Sequence, residues 1–344
     1  MTTEQSWANI NAAASIIGDI STGIYRSPAN ALKELVSNAF DAGARQVFIS
    51  TDYPALSNVS CYDNGPGISR ANLENVFKFI GGSDKRLQGS TGAFGRPLIG
   101  KIGIGILAMS QISPRFAIIS SQEGDPFRIE AEIDIEPFET TEAASTNLGQ
   151  GTLGRYRIST IPESEAAHYL IVATPGASEV LRSNLGPNAS PLDYFAKSKN
   201  SQPKTFRAFV EERMAEGNRG PMNSYDSFLW ELAALCPIPY FDDGPVAKWE
   251  DWRHVQRRLE SYRFSLEVDG YELRKPLLMP TMTGLSTRGA DFQIYPFSSE
   301  NAENTGLEFE GYIFHQRTQI MPPELRGLLV RIRNVGIGGT TLLY

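Results

Sequence analysis

Ser27-Pro-Ala-Asn-Ala-Leu-Lys-Glu34-Leu-Val-Ser-Asn38-Ala-Phe-Asp41-Ala-Gly43 carries its own start and stop signals for a helix. Ser27 can cap exposed amides, Pro28 takes a first-turn position where its missing N–H costs nothing, and Gly43 closes the segment. Leu32, Leu35, Val36, Ala39 and Phe40 recur at helical spacing, which predicts one apolar stripe facing a core and a polar face opposite. On the polar side Glu34 and Asn38 are four residues apart and Asp41 is three further on, so all three point from one face. Magnesium is held mostly by phosphates and waters in octahedral geometry, so one amide oxygen from Asn38 suffices to anchor it. Glu34, one turn away, is placed to polarise a water for in-line attack on a terminal phosphate. The competing reading of the same stripe is a plain solvated helix face.

Downstream, residues 46–51 alternate with Val47 and Ile49 inward, and 59–62 form a second short strand ending at Asp63. A helix is expected over about 70–80, stopped by Gly81-Gly82. Residues 81–100 are rich in glycine, serine and basic residues and read as a mobile loop long enough to act as a lid. Strands are predicted over 115–121, 127–135 and 152–161, the middle one with period-2 alternation. Residues 183–225 are rich in proline and glycine, with one helix predicted over 205–216. A further helix over 225–235 ends at Cys236-Pro-Ile-Pro-Tyr240, because proline cannot continue it, and a domain boundary is placed there. Strands over 264–268, 292–297, 307–315 and 319–321 and a helix start over 322–329 predict a smaller α+β domain beyond.

The 344 residues suffice for two cores. With 41% hydrophobic and 21% charged residues and no apolar run of membrane length, a soluble chain without membrane contact is expected. The N-terminus lacks a basic start followed by an apolar core, which makes the cytoplasm the default compartment. Cys61 and Cys236 match no metal or redox spacing and read as buried free thiols. The net charge of -7 gives no global attraction to nucleic acid or anionic lipid.

Two more motifs carry chemistry. Asp63-Asn64-Gly65-Pro66-Gly67 stands at a strand end. An Asp at the base of a pocket can accept the exocyclic amine of adenine, a discrimination made strong by the cost of an unpaired buried partner. Gly65 and Gly67 let backbone approach the base without side-chain obstruction, although a plain Asn-Gly turn has the same sequence. Gly100-Lys101-Ile102-Gly103-Ile104-Gly105 leads into an apolar helix over 106–112, and glycine amides at a helix N-terminus form an anion site. The stretch Gly95 to Lys101 begins like a Walker A loop, but Ile102 stands where Ser or Thr must hold magnesium. Gly103-Ile-Gly-Ile-Leu-Ala108 mimics a dinucleotide fingerprint without the enclosing βαβ unit.

Taken in this order, E-L-V-S-N-A-F-D-A-G, D-N-G-P-G and I-G-K-I-G-I-G resemble the N, G1 and G2 boxes of the GHKL superfamily, which includes Hsp90, gyrase B, MutL, MORC and histidine kinases. Gln150-Gly151-Thr152 is similar to the Gly-Thr at the start of a late strand in these proteins. The resemblance covers about residues 10–165 and implies an α/β two-layer sandwich of the Bergerat type, a mostly antiparallel sheet backed by helices with ATP between helices and lid. It implies Glu34 as general base, Asn38 as magnesium ligand with Asp41 beside it, and Asp63, Gly65, Gly67 and Ile68 around adenine. Thr152 would touch adenine through water. Gly100, Lys101, Ile102, Gly103, Ile104 and Gly105 would form the phosphate loop, with Ser83 and Lys85 reaching phosphate from the lid.

Residues 307–331 resemble the start of the Hsp90 middle (transducer) domain, and 27–43 most resemble the Hsp90 form of the N box. The expected organisation is an ATP-binding domain over 1–240 with its lid at about 81–100, then a transducer-like α+β domain over 241–344 that looks cut at its C-terminal end. Lys101 departs from the Gln usual in Hsp90, and the charged linker is missing. Arg317, Arg331 and Arg333 are candidates to reach the γ-phosphate from the second domain. The implied activity is slow, Mg-dependent ATP hydrolysis by a nucleotide-dependent homodimeric clamp on a protein client. The alternative is a MORC- or MutL-like clamp acting on DNA, or a defence effector module. A sensor histidine kinase is disfavoured because His168, His254 and His315 all follow the N box. The acidic balance leans towards protein, although Arg253, Arg257 and Arg258 on one helix could form a basic stripe. Residues 7–20 form an N-terminal arm with apolar residues available for exchange between protomers.

Overall fold

The computed structural model describes residues 6–12, 28–53, 58–69, 96, 105–122, 124–135, 151–160, 169–175, 206–208, 210, 224–242, 250, 253–275, 293–298, 310–315, 331–332 and 335–336. In chain order they form β1 (Ala8–Ala12), α1 (Pro28–Ala42), β2 (Gln46–Ser50), β3 (Asn58–Asp63), a 3₁₀ helix (Gly105–Gln111), β4 (Arg115–Ser121), β5 (Phe127–Asp134), β6 (Gly151–Thr160), β7 (Tyr169–Pro175), α2 (Ser224–Leu235), α3 (Arg253–Ser261), β8 (Ser265–Val268), β9 (Tyr271–Glu272), β10 (Gln293–Ser298), β11 (Glu310–His315), β12 (Arg331–Ile332) and β13 (Val335–Gly336). The result is a mixed α/β fold. Nine strands make one sheet in the order β1-β6-β5-β4-β7-β3-β2-β8-β9, antiparallel throughout except for the parallel pair β2–β8.

Alternation builds this sheet. On β2, Val47 and Ile49 are buried, and on β3 Val59, Cys61 and Asp63 turn to the core, so hydrophobic and one carboxylate side chain share a face. On β5, Ile129, Ala131 and Ile133 are buried in the same period. The predicted strands over 46–51, 59–62, 115–121, 127–135 and 152–161 therefore match β2 to β6 within a residue or two. β7 is absent from the sequence reading, yet it lies between β3 and β4 at the centre of the sheet. The predicted 70–80 helix, the 81–100 lid apart from Arg96, and the elements over 319–321 and 322–329 lie outside the described residues.

α1 runs as expected and ends in a Schellman pair, Gly43 N–H donating to Phe40 O at 3.1 Å and Ala44 N–H to Ala39 O at 2.9 Å. Its polar opposite face is not solvated, however. Asn30, Lys33 and Ser37 are buried along with Leu32, Leu35, Val36, Ala39 and Phe40, because α2 packs against the helix and Asn30 Nδ2 donates to Glu231 Oε1 at 3.0 Å. The residues that lead from the phosphate-loop motif form a tight 3₁₀ helix from Gly105, and its Leu107, Ala108 and Met109 are buried where it meets α1.

Residues past 240 continue the first sheet. β8 pairs with β2 from Gln46↔Ser265 to Ile49↔Val268, and Ser265 N–H donates to Arg45 O at 2.9 Å. The β8–β9 turn is tied to the end of β2 and to α2: Asp269 accepts from Thr51 N–H at 2.8 Å, from Thr51 Oγ1 at 2.5 Å and from Tyr225 OH at 2.6 Å. Phe264, Leu266, Val268 and Leu273 belong to the same hydrophobic cluster as α1. The sheet thus does not end at the position where the sequence suggests a boundary. β10–β11 and β12–β13 are separate two-stranded sheets. β1 pairs with β6 of its own chain and buries Ile10, so this part of the N-terminal arm has a partner in cis.

Candidate functional site

The pattern of burial along α1 singles out one stripe. Between Ala29 and Asp41 every residue is buried except Glu34, Asn38 and Asp41, which remain half-buried. These are the three residues that the sequence places on one face. Glu34 Oε1 is held by Lys33 Nζ at 2.5 Å, with Lys33 itself nearly buried. Its other oxygen, and the amide of Asn38, take no hydrogen bond among the described residues. A helix enclosed by sheet and partner helix that leaves only oxygen donors accessible is arranged to meet something polar.

The Asp63 motif sits at the C-terminal end of α1. Asp63 is 5% exposed, and burial pushes its carboxyl up to about 6, opposed by the Gly65 N–H, which donates to Oδ1 at 2.7 Å. Oδ2 has no partner among the described residues and can accept a donor. Asn64 anchors the turn by accepting from Arg45 N–H and Gln46 N–H, both at 2.9 Å. From Ala42 back to Glu34 the helix rises ~12 Å, on the scale of a nucleoside triphosphate. Asp63 thus marks one end of a polar track and Glu34 the other.

Both glycines of this turn answer to protein contacts. A Cβ at Gly65 would lie 2.7 Å from Asp63 Oδ1, and one at Gly67 would lie 2.0 Å from Ser121 O, with φ at +73° besides. Ile68 N–H donates to Ser120 Oγ at 2.7 Å, so the turn is pinned to the end of β4. Ser120 and Ser121 escaped the sequence reading, and two small polar residues ending an otherwise apolar strand were the available signal. Arg96 also escaped it, since the loop around it read as mobile. Its guanidinium is buried, donating to Phe40 O at 3.2 Å, Ala44 O at 2.6 Å and Tyr262 O at 2.6 Å, and it lies 4.6 Å from the Phe40 ring centroid. It closes the last carbonyls of α1 and ties them to the α3–β8 turn.

Thr152 is not brought to this place. It is exposed on β6, with Oγ1 3.3 Å from Asn11 Oδ1, and β7, β4 and β5 intervene between β6 and β3. Along the strands, Asp63 is level with Leu170, Ser120, Ile129 and Ile158, six residues beyond Thr152. The offset alone is about 20 Å. Gly105 opens the 3₁₀ helix beside α1, whereas Ser83, Lys85, Gly100, Lys101, Ile102, Gly103 and Ile104 lie outside the described residues, as do Arg317 and Arg333. Arg331 begins β12. Among the described residues no cluster of three His, Cys, Asp or Glu could hold a metal unaided, and no helix is long and apolar enough to cross a membrane.

Comparison with known proteins points to a family of ATPases. The family model described as histidine kinase-, DNA gyrase B-, and HSP90-like ATPase matches residues 25–151. The DNA mismatch repair protein MutL of Streptococcus thermophilus is 27% identical over 158 residues, 43% of this chain and 24% of its own length. A putative type II restriction enzyme, HgiDII of Herpetosiphon aurantiacus, is 32% identical over 110 residues, 32% of this chain and 17% of its own. The match therefore spans about a quarter or less of these relatives. A crystal structure of the N-terminal domain of a DNA repair protein aligns with 86% of this chain and 70% of that one, at 15% identity and a TM-score of 0.37, too loose a likeness to bear on the fold. Residues 25–151, which hold the α1 stripe, the Asp63 turn and the glycine loop, are thus the part of this chain that matches the histidine kinase-, DNA gyrase B- and HSP90-like (GHKL) ATPase domain.

Proposed function

We propose that this chain binds ATP with magnesium, hydrolyses it slowly, and couples that cycle to dimerisation on DNA in the manner of a MutL-like clamp. The observation that carries the nucleotide reading is the burial pattern of α1, where only Glu34, Asn38 and Asp41 stay accessible between Ala29 and Asp41. Magnesium, when bound, would supply charge neutralisation on the phosphates, and Asn38 is the residue to hold it. Glu34 keeps Oε1 on Lys33, so Oε2 is the atom available to take a proton from the attacking water. Asp63 Oδ2 accepts the adenine amine, with the Gly65–Ile68 turn behind it. Gly105, the preceding residues 100–104, and Ser83 and Lys85 supply phosphate contacts. Thr152 has no part in this reading.

The clamp on a protein client was the first expectation from sequence. The matched relatives are named for mismatch repair and restriction, which supports the DNA-acting alternative instead. Calorimetric titration tests the nucleotide reading: ATP should bind with magnesium at least tenfold more tightly than GTP, because the guanine carbonyl would face the Asp63 carboxylate. Equal affinities would sink the Asp63 assignment. Light scattering with a non-hydrolysable ATP analogue should show a dimer, and a monomer at every concentration would remove the clamp.

A further inference from the structure

α3 concentrates positive charge on its exposed face. Val255, Gln256 and Leu259 are its buried residues, and Arg253, His254, Arg257 and Arg258 are all exposed on the opposite side. Exposed Arg263 follows in the turn. Among the described residues Arg253, Arg257, Arg258 and Arg263 enter no ion pair, and the polar contact of these side chains is Arg257 Nε donating to Arg253 O at 3.3 Å. The segment Arg253 to Arg263 holds four arginines and one glutamate, +3 with His254 neutral, in a chain of net charge -7. The glutamate, Glu260, accepts from Gln256 Nε2 at 2.6 Å. Exposed Arg45 extends the patch, since its carbonyl accepts from Ser265 N–H and its charge reaches Arg96.

Helix stability does not explain this placement. Arg253 stands in the first turn, where the helix dipole disfavours a cation and no acidic residue is present. Arg253–Arg257 and His254–Arg258 are i,i+4 pairs of basic side chains, an arrangement that weakens a helix once both carry charge. Charge gathered at a local cost, on the face turned away from the core, is matched to an external polyanion. We propose that the outer face of α3, with Arg263 and Arg45, binds the sugar–phosphate backbone of duplex DNA through Arg253, Arg257, Arg258 and Arg263. This inference rests on the DNA-acting reading and is independent of Glu34 chemistry. It predicts binding without base preference, because arginines spaced along an exposed helix meet phosphates and reach no base edge by themselves.

Salt dependence gives the test. Neutralising about four phosphates predicts a slope of roughly -3.6 in log K against log salt. The probe is a fluorescent 30-base-pair duplex of arbitrary sequence, titrated with the full chain at several salt concentrations. Arg257→Glu/Arg258→Glu should weaken binding at least tenfold and make the slope shallower by about two, with ATP affinity unchanged. Arg253→Gln/Arg257→Gln, a milder pair on the same exposed row, should weaken binding in the same direction. Absence of DNA binding at 50 mM salt, or a charge-reversal variant with the parent affinity and slope, overturns the proposal. Binding of polyglutamate in preference to duplex overturns it as well and points to an acidic protein partner. Loss of ATP binding in the parent chain instead counts against the nucleotide reading alone.

Discussion

Replacing Asp63 by Asn should make the nucleotide-free protein more stable at neutral pH and at the same time abolish tight ATP binding. The carboxyl is 5% exposed, and burial raises it from 3.8 to about 6. Two units correspond to about 3 kcal/mol of disfavour for the charged form in the folded state. A folded pKa above the unfolded one gives a contribution that is fully present below pH 4 and lost as pH rises through 6. The parent should therefore lose up to about 3 kcal/mol from this group between pH 4 and 7.5, and Asp63→Asn should not. An Asn keeps an oxygen to accept from Gly65 N–H but sets a donor where Oδ2 stood, opposite the adenine amine. Affinity should fall by a factor on the order of 10² or more, since two donors then face each other in a buried site. The assay is urea unfolding of both proteins without nucleotide at pH 4.5, 6 and 7.5, beside calorimetric ATP titration. A stability difference that is the same at all three pH values, or a variant that binds ATP like the parent, refutes the reasoning.

Other substitutions probe the scaffold. Gly67→Ala should destabilise by at least 2 kcal/mol, because a Cβ would meet Ser121 O and φ is positive, whereas Gly270→Ala, at φ +86° with open space, should cost only about 1–2 kcal/mol; equal denaturation midpoints would remove the role given to Ser121. Arg96→Met should cost about 2–5 kcal/mol, since three carbonyls lose a charged donor, and hydrogen exchange at the C-terminal end of α1 should accelerate. Unchanged exchange there would show that Arg96 does not hold the helix end.

What could be read from sequence followed periodicity and turn chemistry. α1 declares itself through Pro28, its apolar spacing and Gly43, and β2 to β6 through alternation, because each signal is local. The stripe Glu34–Asn38–Asp41 was legible for the same reason, but its isolation among buried neighbours was not, since the burial of Asn30, Lys33 and Ser37 depends on α2, about two hundred residues away in sequence. β7 passed unread because a short apolar run flanked by loops has no alternation to count. The return of β8 to pair with β2 is a parallel contact between distant segments, and nothing in residues 264–268 names its partner. Thr152 was carried by family likeness alone, and the register from β3 through to β6 sets it at the far end of the sheet. Gly65 and Gly67 were noticed for a ligand, whereas their nearest steric neighbours are Asp63 and Ser121.

Whether Glu34 is the general base is decided by comparing turnover and affinity in Glu34→Gln. Gln is the right replacement because the side chain also pairs with the nearly buried Lys33, and a shortened residue would strand that ammonium. If the carboxylate acts only on the attacking water, its loss removes an interaction of the transition state and leaves the ground-state complex intact. Steady-state ATP hydrolysis at saturating magnesium should then fall by a factor on the order of 10² to 10⁴, with the dissociation constant for ATP within about threefold of the parent's. Hydrolysis by Glu34→Gln at the parent rate, with ATP bound equally well, would contradict the assignment and return Glu34 to the role of a helix residue paired with Lys33.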